Sequence, residues 1–177
     1  MFGRFVTGKA LCGQSETDGK WFTLHNQLFL DENNHLILVP RWFITDGYTI
    51  PEWLAWLGGG KMKWDIRPSI GHDFECKYHG YIKVNSTVSE LREKGLIRTV
   101  KKENKSIIVC ENVPKEYLEF VETTFNQANS RFKRMMKAVG CIKNWRINMM
   151  RFAVNFNIGW LKQKERSTLN NIYKDFI

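Results

Sequence analysis

The chain has little that would send it across or into a membrane. No segment reaches the about 18 apolar residues that cross a bilayer, and the first residues, MFGRFVTGKALCGQ, hold no apolar run of signal-peptide length, so no export is expected. The four cysteines, Cys12, Cys76, Cys110 and Cys141, are far apart and form no CxxC pair. Reduced thiols are therefore expected rather than a disulfide framework. No internal repeat and no low-complexity tract is visible, which excludes solenoids and fibrous arrays. The most informative absence is of negative charge. Between Thr123 and Lys164 there is no Asp or Glu, while the same stretch carries nine Lys and Arg.

What is present is a packed globular composition. The 177 residues are 43% hydrophobic and 14% aromatic, enough for one domain with a core and too few for two full ones. The net charge of +9 comes from the acid-free stretch, and the rest of the chain is close to neutral. Arg131, Arg134, Lys137, Lys143, Arg146 and Arg151 are its candidate contacts to an anionic partner: nucleic acid, an anionic membrane face or an acidic protein surface. A solvated basic face with no partner is the alternative.

The first half reads as β structure. KWFTLHNQLFL and HLILV are apolar runs separated by DENN, so Trp21–Val39 reads as a hairpin, and RWFITDG continues as a third strand. TIPEWLAWLGGG reads as a short helix: Thr49 and Glu52 fit a capping box, Pro51 lies in the first turn, and Gly58–Gly60 end it. A second helix runs from Asp65 to about His79. STVSELREKGLIRTVKKENKSIIVCE reads as a short helix and a hairpin turning at Lys102–Lys105. Val113–Val139 and Ile142–Leu161 read as two long helices. On the first, Phe125, Phe132, Met135, Met136 and Val139 share a stripe, with Arg131, Arg134 and Lys137 on other faces. The expected fold is α+β: an N-terminal antiparallel sheet packed on a bundle of about four helices, with an inserted β-hairpin. It forms one domain over 1–165, and 166–177 is a polar tail.

The run SIGHDFECKYHG concentrates chemistry on one helix. His72, Glu75, Cys76 and His79 recur at i, i+3, i+4 and i+7, the spacing of one face, and zinc accepts all three ligand types. Ligands in a line along one helix cannot close a tetrahedron, and no second Cys/His cluster is there to complete it. His72 and Asp73 are adjacent and point about 100° apart. They could divide labour, the His as general base and the Asp as cation ligand or anchor. A partly buried His bonded to a backbone carbonyl is the plainer reading.

Two motifs stand together, VPRWFITDGYTIPEWLAWL and SIGHDFECKYH. They resemble the phage and bacterial domain of unknown function family 1353, with its VP-x-x-F-x-T-D-x-x-S-[IV]-P signature followed by HD-x-x-Y on a helix. Val39, Pro40, Phe43, Thr45, Asp46, Ile50, Pro51, His72 and Asp73 match, Thr49 stands for the usual Ser, and Cys76 stands where Tyr is expected. QANSRFKRMMKAVG resembles the family's third element, matching at Ala128, Phe132 and Gly140 but placing Asn129 at the family's Asp. Residues from Gly80 to about Phe125 would then be an insertion.

The family layout is similar in pattern to phospholipases A2, where a His activates water, the next Asp binds calcium and a distant Asp orients the His. By that resemblance His72 is the base, Asp73 a ligand of a divalent cation such as calcium, and Asn129 the orienting group, with Asp46 beside them; Glu75 is a further candidate ligand from its place on the same helix. A neutral Asn there costs about 10⁴ in rate at a comparable triad, which implies a weakened site unless Asp46 or Glu75 takes the role. The resemblance implies a bacteriophage accessory protein, in the virion or the host cytoplasm. Its partners would be virion proteins or an anionic surface. An active metal-assisted esterase or lipid hydrolase is the alternative.

A rival signal lies at 86–110. SELREKGLIRTVKKENKSIIV resembles the helix and wing of winged-helix DNA-binding modules. Against it, a winged helix needs a three-helix core before the wing, and Tyr81–Asn85 reads as a connector.

Overall fold

A computed structural model describes residues 3–8, 12–14, 20–45, 65–102 and 105–140. Ten strands and three α-helices lie within them. The strands are β1 (Arg4–Phe5), β2 (Cys12–Gln14), β3 (Trp21–Thr23), β4 (Gln27–Leu30), β5 (Leu36–Val39) and β6 (Ile44–Thr45), then β7 (Gly80–Val84), β8 (Ile97–Lys102), β9 (Lys105–Cys110) and β10 (Leu118–Glu122). The helices are α1 (Arg67–Tyr78), α2 (Val88–Glu93) and α3 (Phe125–Ala138). The expected α+β class is what the structure has. The helix expected at 49–60, the one at 142–161 and the tail lie outside the described residues.

Three antiparallel sheets form: β1-β4-β5-β7-β10, β2-β3-β6 and the hairpin β8-β9. The DENN turn joins β4 to β5 as expected. Asp31 Oδ1 accepts the backbone N–H groups of Asn33 and His35, both at 2.8 Å, and Asn34 takes the left-handed conformation at φ 61°. The single strand read in KWFTLHNQLFL is instead two. Trp21–Thr23 pairs with β2 and β6, and Gln27–Leu30 pairs with β1 and β5. Asn26 stands at the break, its side chain bonded to the carbonyl of Glu111 and the N–H of Arg41.

Two further readings need correction. Tyr81–Asn85 is no connector: Gly80–Val84 is the strand β7, paired with β5 on one side and β10 on the other. A strand, not a recognition helix, therefore precedes the helix–hairpin unit at 86–110. Nor is Val113–Val139 one helix. A 3₁₀ turn at Lys115–Tyr117 and β10 come first, and α3 starts only after Thr124. Thr124 and Gln127 form a reciprocal capping box there, each side chain accepting the other's backbone N–H. The stretch read as an insertion thus begins and ends within the main sheet.

The main core lies between this sheet and α1. Leu28, Leu36, Leu38, Phe43, Ile70, Phe74, Tyr78, Ile82 and Leu91 are among its buried members. Helix α1 begins at Arg67 with Pro68 in its first turn; its N-cap is Ile66, which has no side-chain cap, and Asp65 accepts the Arg67 N–H from one residue further out. His79, left-handed at φ 55°, ends it and turns the chain directly into β7.

Candidate functional site

Helix α1 carries the site because it is buried on two faces. Ile70, Phe74 and Tyr78 enter the apolar core, where Phe43 packs edge-on against Phe74 at 5.3 Å between ring centroids. Ser69, His72 and Glu75 are also buried. They lie toward α3, and Gly71 lets the Met135 side chain rest against the α1 backbone.

His72 is 5% exposed and meets α3 at two residues. Its Nε2 lies 2.9 Å from Asn129 Oδ1, and its ring packs on Phe132 at 4.8 Å. An amide oxygen only accepts, so with this amide orientation Nε2 carries the hydrogen. The other nitrogen, Nδ1, faces Asp73 Oδ1 at 3.9 Å. Cys76 Sγ is 3.7 Å from Nδ1 and 3.5 Å from Nε2. A sulfur so nearly equidistant from both nitrogens sits over the ring face, because an in-plane approach would press it against the carbon between them. It is not an in-line thiol–imidazole pair.

Burial alone would lower the imidazole pKa. The negative charge of Asp73 near Nδ1, with the Cys76 sulfur against the ring, outweighs burial and raises the pKa to about 10. At neutral pH His72 is thus an imidazolium, its Nε2–H donated to Asn129.

Asp73 points elsewhere for its main contact. Its Oδ2 accepts a short hydrogen bond from the Thr45 hydroxyl at the end of β6. The TD and HD motifs therefore meet through Thr45 and Asp73. Asp46 itself lies outside the described residues.

Glu75 is 1% exposed and is engaged by Arg131 Nη1 of α3. Burial raises its carboxyl to about 7 even though the Arg131 charge acts to lower it. Arg131 is 8% exposed, and its guanidinium carbon lies 4.1 Å from the centre of the Tyr81 ring. It faces inward and does not belong with the outward-facing cations. Arg134 reaches Glu32 at 3.6 Å, and Lys137 is half-buried on the same helix. Lys143, Arg146 and Arg151 lie outside the described residues.

The structure therefore joins His72 to Asn129, and does not bring Asp73 and Glu75 to one point. As donors for a cation they fit poorly: Asp73 is held by Thr45, Glu75 by Arg131, and an imidazolium cannot ligate. Among the described residues no group of three His, Cys, Asp or Glu is placed to hold a metal ion. Cys76 and Cys110 are free thiols, the latter pushed up to about 12 chiefly by burial. The site also contains Thr45, a match of the TD motif, and Arg131, which the sequence places among the cations for an anionic partner and the structure turns inward to Glu75. The burial of Arg131 carried no signal, because a cation in an acid-free stretch reads as solvated.

No helix among the described residues is long and apolar enough to cross a membrane. No curated protein and no solved structure shows a significant match to the chain. Residues 22–154, which span both motifs and α3, match the model of a family described as "Protein of unknown function (DUF1353)", and the chain belongs to that family.

Proposed function

We propose that this is a bacteriophage accessory protein, carried in the virion or acting in the host cytoplasm, in which a hydrolase-like His-Asp arrangement serves as a structural clasp. The observation that carries this reading is the contact of His72 Nε2 with the neutral amide of Asn129 at 2.9 Å. Asn129 holds the Nε2–H tautomer as a carboxylate would, which leaves Nδ1 as the nitrogen a base would use. It supplies no negative charge for an imidazolium formed in turnover. An imidazole protonated up to about pH 10 also takes no proton from water at neutral pH. The basic residues of 133–151 provide charge for a virion protein or an anionic surface.

The test has two arms. Purified protein is assayed on phospholipid, peptidoglycan and nucleic acid with and without calcium, and purified particles are searched for the protein by mass spectrometry. The expected results are no turnover and recovery with the particles. Calcium-dependent turnover abolished by His72→Ala would replace this reading with that of a metal-assisted hydrolase.

A further inference from the structure

The segment between β5 and β6 sorts its side chains by direction. Val39, Pro40, Phe43 and Thr45 are buried. Arg41, Trp42 and Ile44, which lie between them, are exposed. Trp42 at 47% and Ile44 at 57% are the exposed large hydrophobic residues of the described chain, and they are two residues apart. Isolated exposed apolar residues are ordinary on a protein surface, but a pair on one bend is not scattered.

The bend is rigid and strained. Trp42 has a left-handed backbone at φ 66°, unfavourable for a bulky residue. Thr23 holds it there. The Thr23 carbonyl accepts the Trp42 N–H at 2.6 Å, the Thr23 N–H reaches the Phe43 carbonyl at 3.1 Å, and the Thr23 hydroxyl joins Pro40 to Phe43. Asn26 Oδ1 accepts the Arg41 N–H at 2.8 Å. The backbone is thus tied down by β3 and its neighbour, while the side chains point out.

The chemistry of those side chains is apolar with a cationic collar. Phe22 stacks on Trp42 at 5.8 Å and the Arg41 guanidinium lies 5.9 Å from the Trp42 ring centre. Lys77 approaches the inward-facing Phe43 and Tyr78 rings, so the cation placed against Trp42 is Arg41. A Trp and an Ile beside an Arg suit the interface of a bilayer, where an indole sits among headgroups and a guanidinium meets anionic phosphates. A nucleic-acid surface would want a row of cations and no aliphatic tip. Arg41, exposed and 5.9 Å from the Trp42 ring centre, supplies the local charge that two inserted apolar side chains alone would lack.

We propose that Arg41, Trp42 and Ile44 form a peripheral docking tip for a membrane surface that contains anionic phospholipid. This rests on a different part of the molecule from the His72 reading and stands whether or not that reading fails. The full chain is sedimented with vesicles of phosphatidylcholine alone and of phosphatidylcholine mixed with phosphatidylglycerol. Wild type should bind only the mixed vesicles, and less as salt rises. The double variant Trp42→Gly, Ile44→Thr should lose roughly tenfold or more in partitioning, the worth of two inserted apolar side chains. Its thermal midpoint should hold or rise, because Gly is at ease in the left-handed conformation. Arg41→Glu, whose side chain the fold does not need, should weaken binding to mixed vesicles as a second check. Failure of wild type to bind mixed vesicles, or equal binding by both variants, would overturn the proposal. So would capture of nucleic acid or protein through these residues without vesicle binding.

Discussion

Helix α1 presents two buried faces that are held by opposite physics. Toward the sheet, Ile70, Phe74 and Tyr78 are packed against Phe43 and the strands. Toward α3, His72 and Glu75 meet Asn129 and Arg131. The apolar face gains from removal of surface from water. The polar face breaks even at best, since each desolvated charge costs several kcal/mol before its partner returns any of it. The Arg131 Nη1 atom meets Glu75, while its Nε is buried without a hydrogen-bond partner.

The comparison breaks most sharply at Phe74 and Glu75. Phe74→Ala should cost about 3–5 kcal/mol in chemical denaturation, from lost burial plus a cavity. Glu75→Ala, measured at about pH 8 where the carboxyl is ionised, should cost a similar amount, about 3–5 kcal/mol, for a different reason: it leaves the Arg131 guanidinium buried without its carboxylate. A cost below 1 kcal/mol for Glu75→Ala would mean that the ion pair does not form. Arg131→Ala should cost less, about 1–3 kcal/mol, because the orphaned Glu75 can protonate whereas an orphaned arginine cannot give up its charge.

The polar face should also respond to pH where the apolar face does not. Both of its titrating groups have raised pKa values, so both stabilise the fold most when protonated. The Glu75 contribution is complete below about 4.5 and is lost as pH rises through about 7. That of His72 is complete below about 6.5 and is lost as pH rises through about 10. Denaturation midpoints measured across this range should fall in two steps. Glu75→Gln should remove the lower step and His72→Gln the upper one, while Phe74→Leu should lower the whole curve and keep its shape. The smallest expected effect lies off both faces. Thr124→Ala removes the cap of α3 and should cost about 1 kcal/mol, with no change in the pH profile.

Sequence and fold agree where the cause is local. DENN forms its turn because Asp31 reaches its own neighbours, and Pro68 falls in the first turn of α1 as its missing donor allows. They part where the cause is distant. Tyr81–Val84 becomes a strand because β5 and β10 flank it, and neither partner is near in sequence. Leu118–Glu122 was absorbed into a helix because its charges and apolar residues suit either period, and only Thr123 and Thr124 marked the boundary. At the site, the pairing of His72 with Asn129 was legible through the family resemblance. The burial of Arg131 was not, because its partner Glu75 had been read as a metal ligand and Arg131 as a surface charge.

The central claim is that His72 is a permanent imidazolium bound to Asn129 and not a base in waiting. Nitrogen and proton chemical shifts of the His72 ring, followed through a pH titration of the intact protein, test it most directly. Both ring nitrogens should remain protonated at pH 7 and lose a proton only as pH approaches about 10, with the Nε2 proton slow to exchange. A ring that is neutral at pH 7, with a bare Nδ1, would contradict the account and return His72 to the role of general base.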